Sequence, residues 1–169
     1  MEINFLAIFV AALIPLVLGF VWYNQKVFGA AWMRATGLTM DDAKGMNMGM
    51  VFLLSFIFAF LIGFEMNVLA VHDAFVQGAL YYETKGTMQV EPGSEAAVWL
   101  DQYMTKYAAS NHSFPHGMFH GVAAGLLLVF PIIATNALYE RRGWKYILIV
   151  AGYWIISLGL MGGLIAVWR

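Results

Sequence analysis

The sequence predicts an all-α membrane protein, a four-transmembrane-helix bundle with one longer extracytoplasmic loop that contains a short amphipathic helix. Composition is the first reason: 62% of the residues are hydrophobic, 11% are charged and the mean hydropathy is +0.73. An ordinary soluble domain is about 25% charged. The second reason is the pattern of charge. Long charge-free runs alternate with short charged patches, whereas a soluble protein distributes its charges along every helix.

Four runs are long enough to cross a bilayer core of about 30 Å at about 1.5 Å per residue. The predicted spans cover residues 3–23, 48–71, 114–138 and 146–168. At 169 residues the chain forms a single integral membrane domain. The first run has no positive residue before it and exceeds a typical signal h-region, so we expect it to be retained as a helix. Pro15 and Pro131 predict kinks in the first and third spans.

The segments between the spans carry weaker signals. Residues 24–47 include a short apolar patch that suits a surface-lying helical turn, and 39–42 resemble a helix start. The second span is expected to continue through 74–82. The outer loop, 83–113, is predicted to hold a helix that begins after Ser94. Three aromatic residues share one face of that helix: Trp99, Tyr103 and Tyr107. Such a stripe indicates packing or anchoring at the interface rather than a ligand box.

Small residues recur at every fourth position in all four spans, which lets helices approach one another closely. The third span has Gly117, Gly121 and Gly125 on one ridge, and the fourth has Gly159 and Gly163. We expect these five glycines to be helix-packing positions. Because four helices bury little interior, ridges left over after folding are expected to serve association with other subunits.

The positive residues predict the orientation. Six of the nine Lys and Arg residues fall in the first and third loops: Lys26, Arg34, Lys44, Arg141, Arg142 and Lys145. The positive-inside rule therefore places loops 24–47 and 139–145 in the cytoplasm. Both termini and the loop 83–113 are then outside.

Ligand-type side chains collect at the predicted outer end. The candidates for a polar or ligand site are Glu65, His72, Asp73, His116 and His120. His116 and His120 are four residues apart, so they share one helical face at a spacing that can chelate a metal. Glu65 and His72 likewise share a face of the second span. If spans two and three are neighbours, these two pairs form a four-ligand metal site, and imidazole with carboxylate suits zinc, iron, nickel or copper.

Two other interpretations of these residues stay open. The favoured one is plain structural pairing, in which Glu65 contacts His72 or His120 and no cofactor is bound. The other is a proton-linked or polar-ligand role. Under each interpretation we expect Glu65 to have a function, because an ionisable group inside a membrane span costs free energy.

Several function classes find no support in the sequence. The chain has no cysteine, which excludes disulfides, thiolate metal sites and a cysteine nucleophile. Its net charge of −1 and scattered cations predict no nucleic-acid partner. No nucleophile–base set, phosphate-binding loop or dinucleotide fingerprint occurs, so we assign no catalytic residue. We expect no cofactor, and a divalent transition metal at the outer histidines is the alternative.

Three stretches carry a family resemblance: residues 29–39 (GAAWMRATGLT), 135–141 (TNALYER) and 151–154 (AGYW). They resemble the uncharacterised bacterial membrane family known as domain of unknown function 1761, over nearly the whole chain. The loop 83–113 is longer than the family pattern leads us to expect. The resemblance implies a small four-helix protein of the bacterial cytoplasmic (inner) membrane, and it implies no activity, cofactor or site residue.

Three functions are compatible with these observations. The favoured one is a non-enzymatic membrane protein that forms a homo-oligomer or an accessory subunit of a larger membrane complex, with the lipid bilayer as its surroundings. The second is a small cation- or proton-linked transporter or channel, since Glu65 and the outer histidines could bind a cation. The third is a membrane metalloprotein with an outer-face histidine and glutamate site.

Overall fold

The computed structural model describes residues 3–42, 44–87 and 89–168, and the side chains of Asp73, Ala74 and Gln77 lie outside that description. In chain order the α-helices are α1 (Phe5–Trp22), α2 (Ala30–Thr36), α3 (Met48–Val71), α4 (Asp73–Ala79), α5 (Glu95–Asn111), α6 (Phe114–Ala124), α7 (Phe130–Tyr139) and α8 (Trp144–Val167). Two π-helical turns, Gln25–Gly29 and Gly125–Val129, precede α2 and join α6 to α7. The described residues contain no strand.

Four of these helical segments are long and apolar enough to cross a membrane: α1, α3, the third span Phe114–Tyr139 and α8. This confirms the predicted all-helical fold class, and the chain is a multi-pass membrane protein. The starts of the first two spans follow from side-chain caps. The Asn4 side chain accepts from the backbone N–H of Ala7 at 3.0 Å, and that of Asn47 accepts from Met50 at 3.1 Å. Each cap satisfies one N–H that has no partner inside its helix.

The third span stays continuous through Pro131 because the helix widens just before it. Proline has no N–H and its ring collides with the carbonyl four residues earlier in a regular α-helix. Here the backbone N–H of Phe130 bonds to the carbonyl of Gly125, the five-residue spacing of a π turn. A wide turn of this kind is where an α-helix absorbs such a conflict.

Helix α8 is the centre of the bundle. Within an apolar window of 18 residues, 50% of the α8 residues are buried, compared with 11% of the α3 residues. The third span lies against α8 through its glycine ridge: a Cβ added to Gly117 or Gly121 would overlap the α8 backbone, at Gly162 and Leu158 respectively. A Cβ at Gly125 would lie 2.7 Å from the Cα of Ile155.

The other predicted ridge positions are also used inside the chain. Gly159 faces Val122 and Met118, and Gly163 faces the Phe114 ring. These glycines therefore already contact helices of the same chain. They give no reason to expect association with other subunits.

The hydrophobic core lies toward one end of the bundle. Its buried cluster consists of Ala11, Met66, Ala70, Val71, Leu158, Met161, Ile165 and Ala166. We call this end, where α1 and α6 begin and α3 and α8 finish, the histidine end; the opposite end, with loops 24–47 and 139–145, is the basic end. All buried residues of α3 lie at Ala59 or later. The half of α3 nearer the basic end is therefore packed less closely.

Two predicted local features are wrong. The segment 39–42 is a turn and no helix begins there: the hydroxyl and the backbone N–H of Thr39 both donate to the Asp42 carboxylate, at 2.7 and 2.6 Å. The second span does not continue unbroken through 74–82, because α3 finishes at Val71 and His72 takes a left-handed backbone conformation with φ +66° before α4.

The helix predicted within the loop 83–113 forms as α5 and begins after Ser94, as expected. The Ser94 hydroxyl caps it by accepting from the backbone N–H of Ala97 at 3.2 Å. The rings of Trp99 and Tyr103 stack with centroids 5.8 Å apart, and those of Tyr103 and Tyr107 lie 5.0 Å apart. The aromatic stripe is thus a continuous set of ring contacts along one face.

A candidate metal centre at the histidine end

Helix α6 carries two of the three histidines that meet here. Pro115 lies in the first turn, where its missing N–H has no intrahelical partner to lose. His116 and His120 follow one helical turn apart and therefore project on one face. The neighbouring ridge, Gly117 and Gly121, presses against α8. Close packing of the glycine ridge leaves the histidine face turned toward the end of α3.

The third histidine comes from the break after α3. His72 ends that helix in the left-handed region, with φ +66° and ψ −10°. This conformation costs a non-glycine residue about 1–2 kcal/mol. It turns the chain at the bundle surface and directs the imidazole of His72 onto α6. A strained residue at a cluster of ligand-type side chains is an observation that favours a functional site.

The three imidazoles come together within the reach of one ion. The ring centroids of His72 lie 5.0 Å from His116 and 4.4 Å from His120, and those of His116 and His120 lie 4.7 Å apart. One nitrogen from each ring lies within 4.8 Å of the others. Zinc–nitrogen bonds of about 2.0–2.1 Å in tetrahedral geometry separate ligand nitrogens by about 3.3 Å. The three nitrogens therefore lie at most about 1.5 Å beyond that separation.

Two of the nitrogens are already at hydrogen-bond distance. Nε2 of His72 and Nε2 of His120 are 2.9 Å apart, so one ring donates and the other accepts in the absence of an ion. The third is different: Nε2 of His116 is buried and has no hydrogen-bond partner among the described residues. An orphaned buried polar atom costs about 1–3 kcal/mol. A metal ion between the rings would use the lone pairs of all three nitrogens.

Glu65 does not join the histidines, which corrects the expected four-ligand set. His72 lies beyond the end of α3 in a left-handed conformation, so it does not share a helical face with Glu65 as expected. The two residues are seven positions apart, which is about 10 Å along the helix axis. That distance is too great for one shared ion. The metal-capable group among the described residues is His72, His116 and His120.

Asp73, the remaining candidate, follows His72 directly in the chain. The side chain of Asp73 is outside the described part of the chain, so its predicted place in the site stays a prediction. His112 ends α5 as its cap residue and is not one of the three grouped histidines. The clustering of His116 with His120 follows from their spacing, whereas no turn residue such as Gly or Pro signals the break at His72.

Two clefts open beside α3, on either side of Trp154. The larger, about 620 Å³, faces the basic end and is lined mainly by aromatic rings: Phe20, Tyr23, Trp32, Phe52, Phe58, Tyr153 and Trp154. The second, about 520 Å³, we call the Glu65 cleft. It is lined by Glu65, Leu61 and Leu69 of α3, Leu128 of the π turn, and Trp154 and Leu158 of α8. Neither cleft was predicted from the sequence, because loose packing around α3 leaves no recognisable pattern in the residues of that helix.

Comparison with known proteins places the chain in a family and supplies no activity. No curated protein and no solved structure matches it. The family described as "Protein of unknown function (DUF1761)" matches residues 6–166, nearly the whole chain. This agrees with the resemblance carried by residues 29–39, 135–141 and 151–154. The chain therefore belongs to the DUF1761 family.

Proposed function

We propose that this protein is a membrane metal-binding protein that holds a divalent transition-metal ion between His72, His116 and His120. One observation carries the proposal: three imidazoles from two separate spans converge, and the buried Nε2 of His116 has no partner among the described residues. A hydrogen bond between His72 and His120 accounts for two of the rings. It leaves the third unexplained, and a bound ion accounts for all three.

The three imidazole donors limit which metal ions can bind. Three imidazole nitrogens suit zinc, copper, iron or nickel, and they do not suit magnesium or calcium, which prefer oxygen ligands. Three protein ligands also leave a tetrahedral ion one coordination position for water or another small ligand. The described residues supply no fourth ligand.

We further propose that the histidine end faces the outside of the bacterial inner membrane. The support is the charge distribution: loops 24–47 and 139–145 hold six of the nine Lys and Arg residues, and both lie at the basic end. In that orientation the centre would take its ion from the extracytoplasmic side. Self-association and an accessory role in a larger complex stay predictions, which the glycine ridges no longer support.

The direct test is metal analysis of full-length protein purified without a histidine tag in lipid nanodiscs. We expect about one zinc ion per chain after equilibration and dialysis, and a tetrahedral absorption spectrum after cobalt substitution. His116→Ala should abolish both. His112→Ala is the matched control, because it removes a histidine outside the group and should retain the ion. Protein without bound metal, or metal binding that His116→Ala and His120→Ala leave unchanged, would refute the proposal.

A further inference from the structure

The larger of the two clefts beside α3, which we call the aromatic cleft, has the lining of a pocket for an uncharged molecule. Seven of its thirteen lining residues carry aromatic rings, and none of these described residues is Asp, Glu, Lys, Arg or His. Its volume of about 620 Å³ is that of a small-molecule pocket. The Glu65 cleft differs, because Trp154 is the one aromatic ring among its described lining residues. The two clefts therefore suit occupants of different shape.

One wall of the aromatic cleft is a continuous series of rings. The ring centroid of Tyr23 lies 5.5 Å from that of Trp32 and 5.3 Å from that of Tyr153. The rings of Tyr153 and Trp154 are 5.2 Å apart. The hydroxyl of Tyr153 donates to the carbonyl of Pro15 at 2.8 Å, which fixes that ring between α8 and α1. Such a series presents aromatic faces and edges at fixed positions, and a planar ligand packs favourably against them.

The aromatic cleft is accessible from the lipid side. Phe20 of α1 and Phe58 of α3 line it, and their side chains are exposed by 66% and 58% respectively. Toward the basic end the cleft is bounded by Trp32 of α2. Arg142 holds the end of α2 in place, since its Nη1 donates to the carbonyl of Thr36 at 2.7 Å. A ligand would therefore enter from the bilayer.

Several hydrogen-bond donors in this lining have no acceptor among the described residues. They are the hydroxyl of Ser55, the phenol of Tyr23 and the indole N–H groups of Trp32 and Trp154. Ser55 lies about 10 Å from the start of α3. At that depth a phospholipid presents acyl methylene groups, which accept no hydrogen bond. The unused donors therefore favour a ligand that brings acceptor oxygens into an apolar site.

We infer that the aromatic cleft binds a lipid-soluble quinone taken from the bilayer. A quinone is planar and uncharged, and its carbonyl oxygens accept hydrogen bonds. Its ring packs on the wall of Tyr23, Tyr153 and Trp154, and the Tyr23 phenol donates to a carbonyl oxygen. This inference does not depend on the metal centre, because Ser55 and His72 are about 25 Å apart along the axis of α3.

The test compares two probes that differ only in their oxygens: a geranyl-substituted naphthoquinone and the same naphthalene without the carbonyl groups. Full-length protein in nanodiscs is equilibrated with each radiolabelled probe, the uptake of empty nanodiscs is subtracted, and the affinity is expressed per mole fraction in the bilayer. Phospholipid is in large excess there, so saturable binding shows a preference for the quinone over acyl chains. We expect saturable binding of the naphthoquinone at about one site per chain, and binding of the hydrocarbon that is about fivefold weaker, because it accepts no hydrogen bond.

Two variants and their controls locate the site. Tyr23→Phe keeps the ring and removes the hydroxyl, so it should weaken naphthoquinone binding by about fivefold and leave hydrocarbon binding unchanged. Tyr139→Phe is its control, because that exposed side chain is outside the lining. Ser55→Trp should fill the cleft from the exposed surface of α3 and reduce the binding of both probes. Leu61→Trp is its control, because Leu61 lines the Glu65 cleft instead.

Three results would each overturn the inference. They are naphthoquinone uptake no greater than that of empty nanodiscs, equal affinities for the two probes, and a Ser55→Trp variant that binds the naphthoquinone as the wild type does. An equal loss of both probes in Tyr23→Phe would show that the phenol acts on the shape of the cleft and not on the quinone oxygen, and would overturn it as well.

Discussion

At the scale of single residues, His72 combines an unfavourable backbone with a favourable side-chain position. Its φ of +66° lies in the left-handed region that glycine adopts freely and other residues adopt at a cost. Its Nε2 lies 2.9 Å from that of His120. Glycine would be the better residue for the backbone alone, and only histidine supplies the nitrogen. The strain is thus understandable if the imidazole has a function.

The backbone cost of His72 can be separated from the loss of its ring by comparing His72→Ala with His72→Gly. Both variants lack the imidazole, so neither should bind metal. Because only glycine relaxes at φ +66°, His72→Gly should have the higher free energy of unfolding, by about 1 kcal/mol. Reversible unfolding of the metal-free protein in mixed micelles measures the difference.

The same pair of substitutions at a regular helical position is the control. Phe58 is an exposed residue in the middle of α3. There glycine should be less stable than alanine by about 1 kcal/mol, the opposite sign. The same sign at both positions would show that His72 is not in the left-handed conformation.

At the scale of helices, the contact between the third span and α8 organises the bundle. Gly117 and Gly121 let the two backbones touch, and Gly162 of α8 lies opposite the first of them. Because a membrane provides no hydrophobic driving force between helices, such close van der Waals contact is a main source of their association. It also sets the rotation of α6 that turns His116 and His120 toward α3.

Gly121→Ala should therefore destabilise the fold rather than an oligomer. Its Cβ would overlap the carbonyl of Leu158, so the two helices must separate along their whole contact. We expect a loss of about 3 kcal/mol or more in the free energy of unfolding, together with weaker metal binding. Gly78→Ala is the control, since a Cβ at that helical glycine meets nothing within 4 Å. A folded, metal-binding Gly121→Ala variant whose only defect is dissociation of subunits would contradict this assignment.

At the scale of the whole molecule, the two ends differ in chemistry. The histidine end holds the buried core and the proposed metal centre, whereas the basic end holds most of the cations and the larger aromatic cleft. The outward surfaces of the spans are apolar, with exposed side chains such as Leu53, Leu127 and Ile132. In a membrane these side chains contact lipid, so their exposure requires no partner protein.

The orientation can be measured with single cysteines, because the chain has none of its own. Lys44→Cys places a thiol in the first loop and Lys106→Cys places one on α5. Positive-inside orientation predicts that a membrane-impermeant maleimide labels Lys106→Cys in intact cells and labels Lys44→Cys only after lysis. The reverse pattern would put the histidine end in the cytoplasm and change the source of the proposed ion.

Much of the fold could be predicted because it depends on properties local to each segment. A charge-free run of sufficient length can satisfy its backbone hydrogen bonds in a bilayer only as a helix, so four runs predict four spans. The π turn before Pro131 was not predicted. A proline inside a helix can cause either a kink or a widened turn, and the sequence is the same in both cases. The break at His72 was missed because the helix ends there without a glycine.

By itself the sequence determined the class, the number of spans, the pairing of His116 with His120 and the family. Each of these follows from the composition, spacing or motifs of individual segments. Only the tertiary structure decided which residues meet across segments: His72 reaches α6, while Glu65 lies about 10 Å from it along the axis of α3. It also decided that the glycine ridges pack within the chain, because a ridge has the same sequence whether its partner is α8 or another subunit.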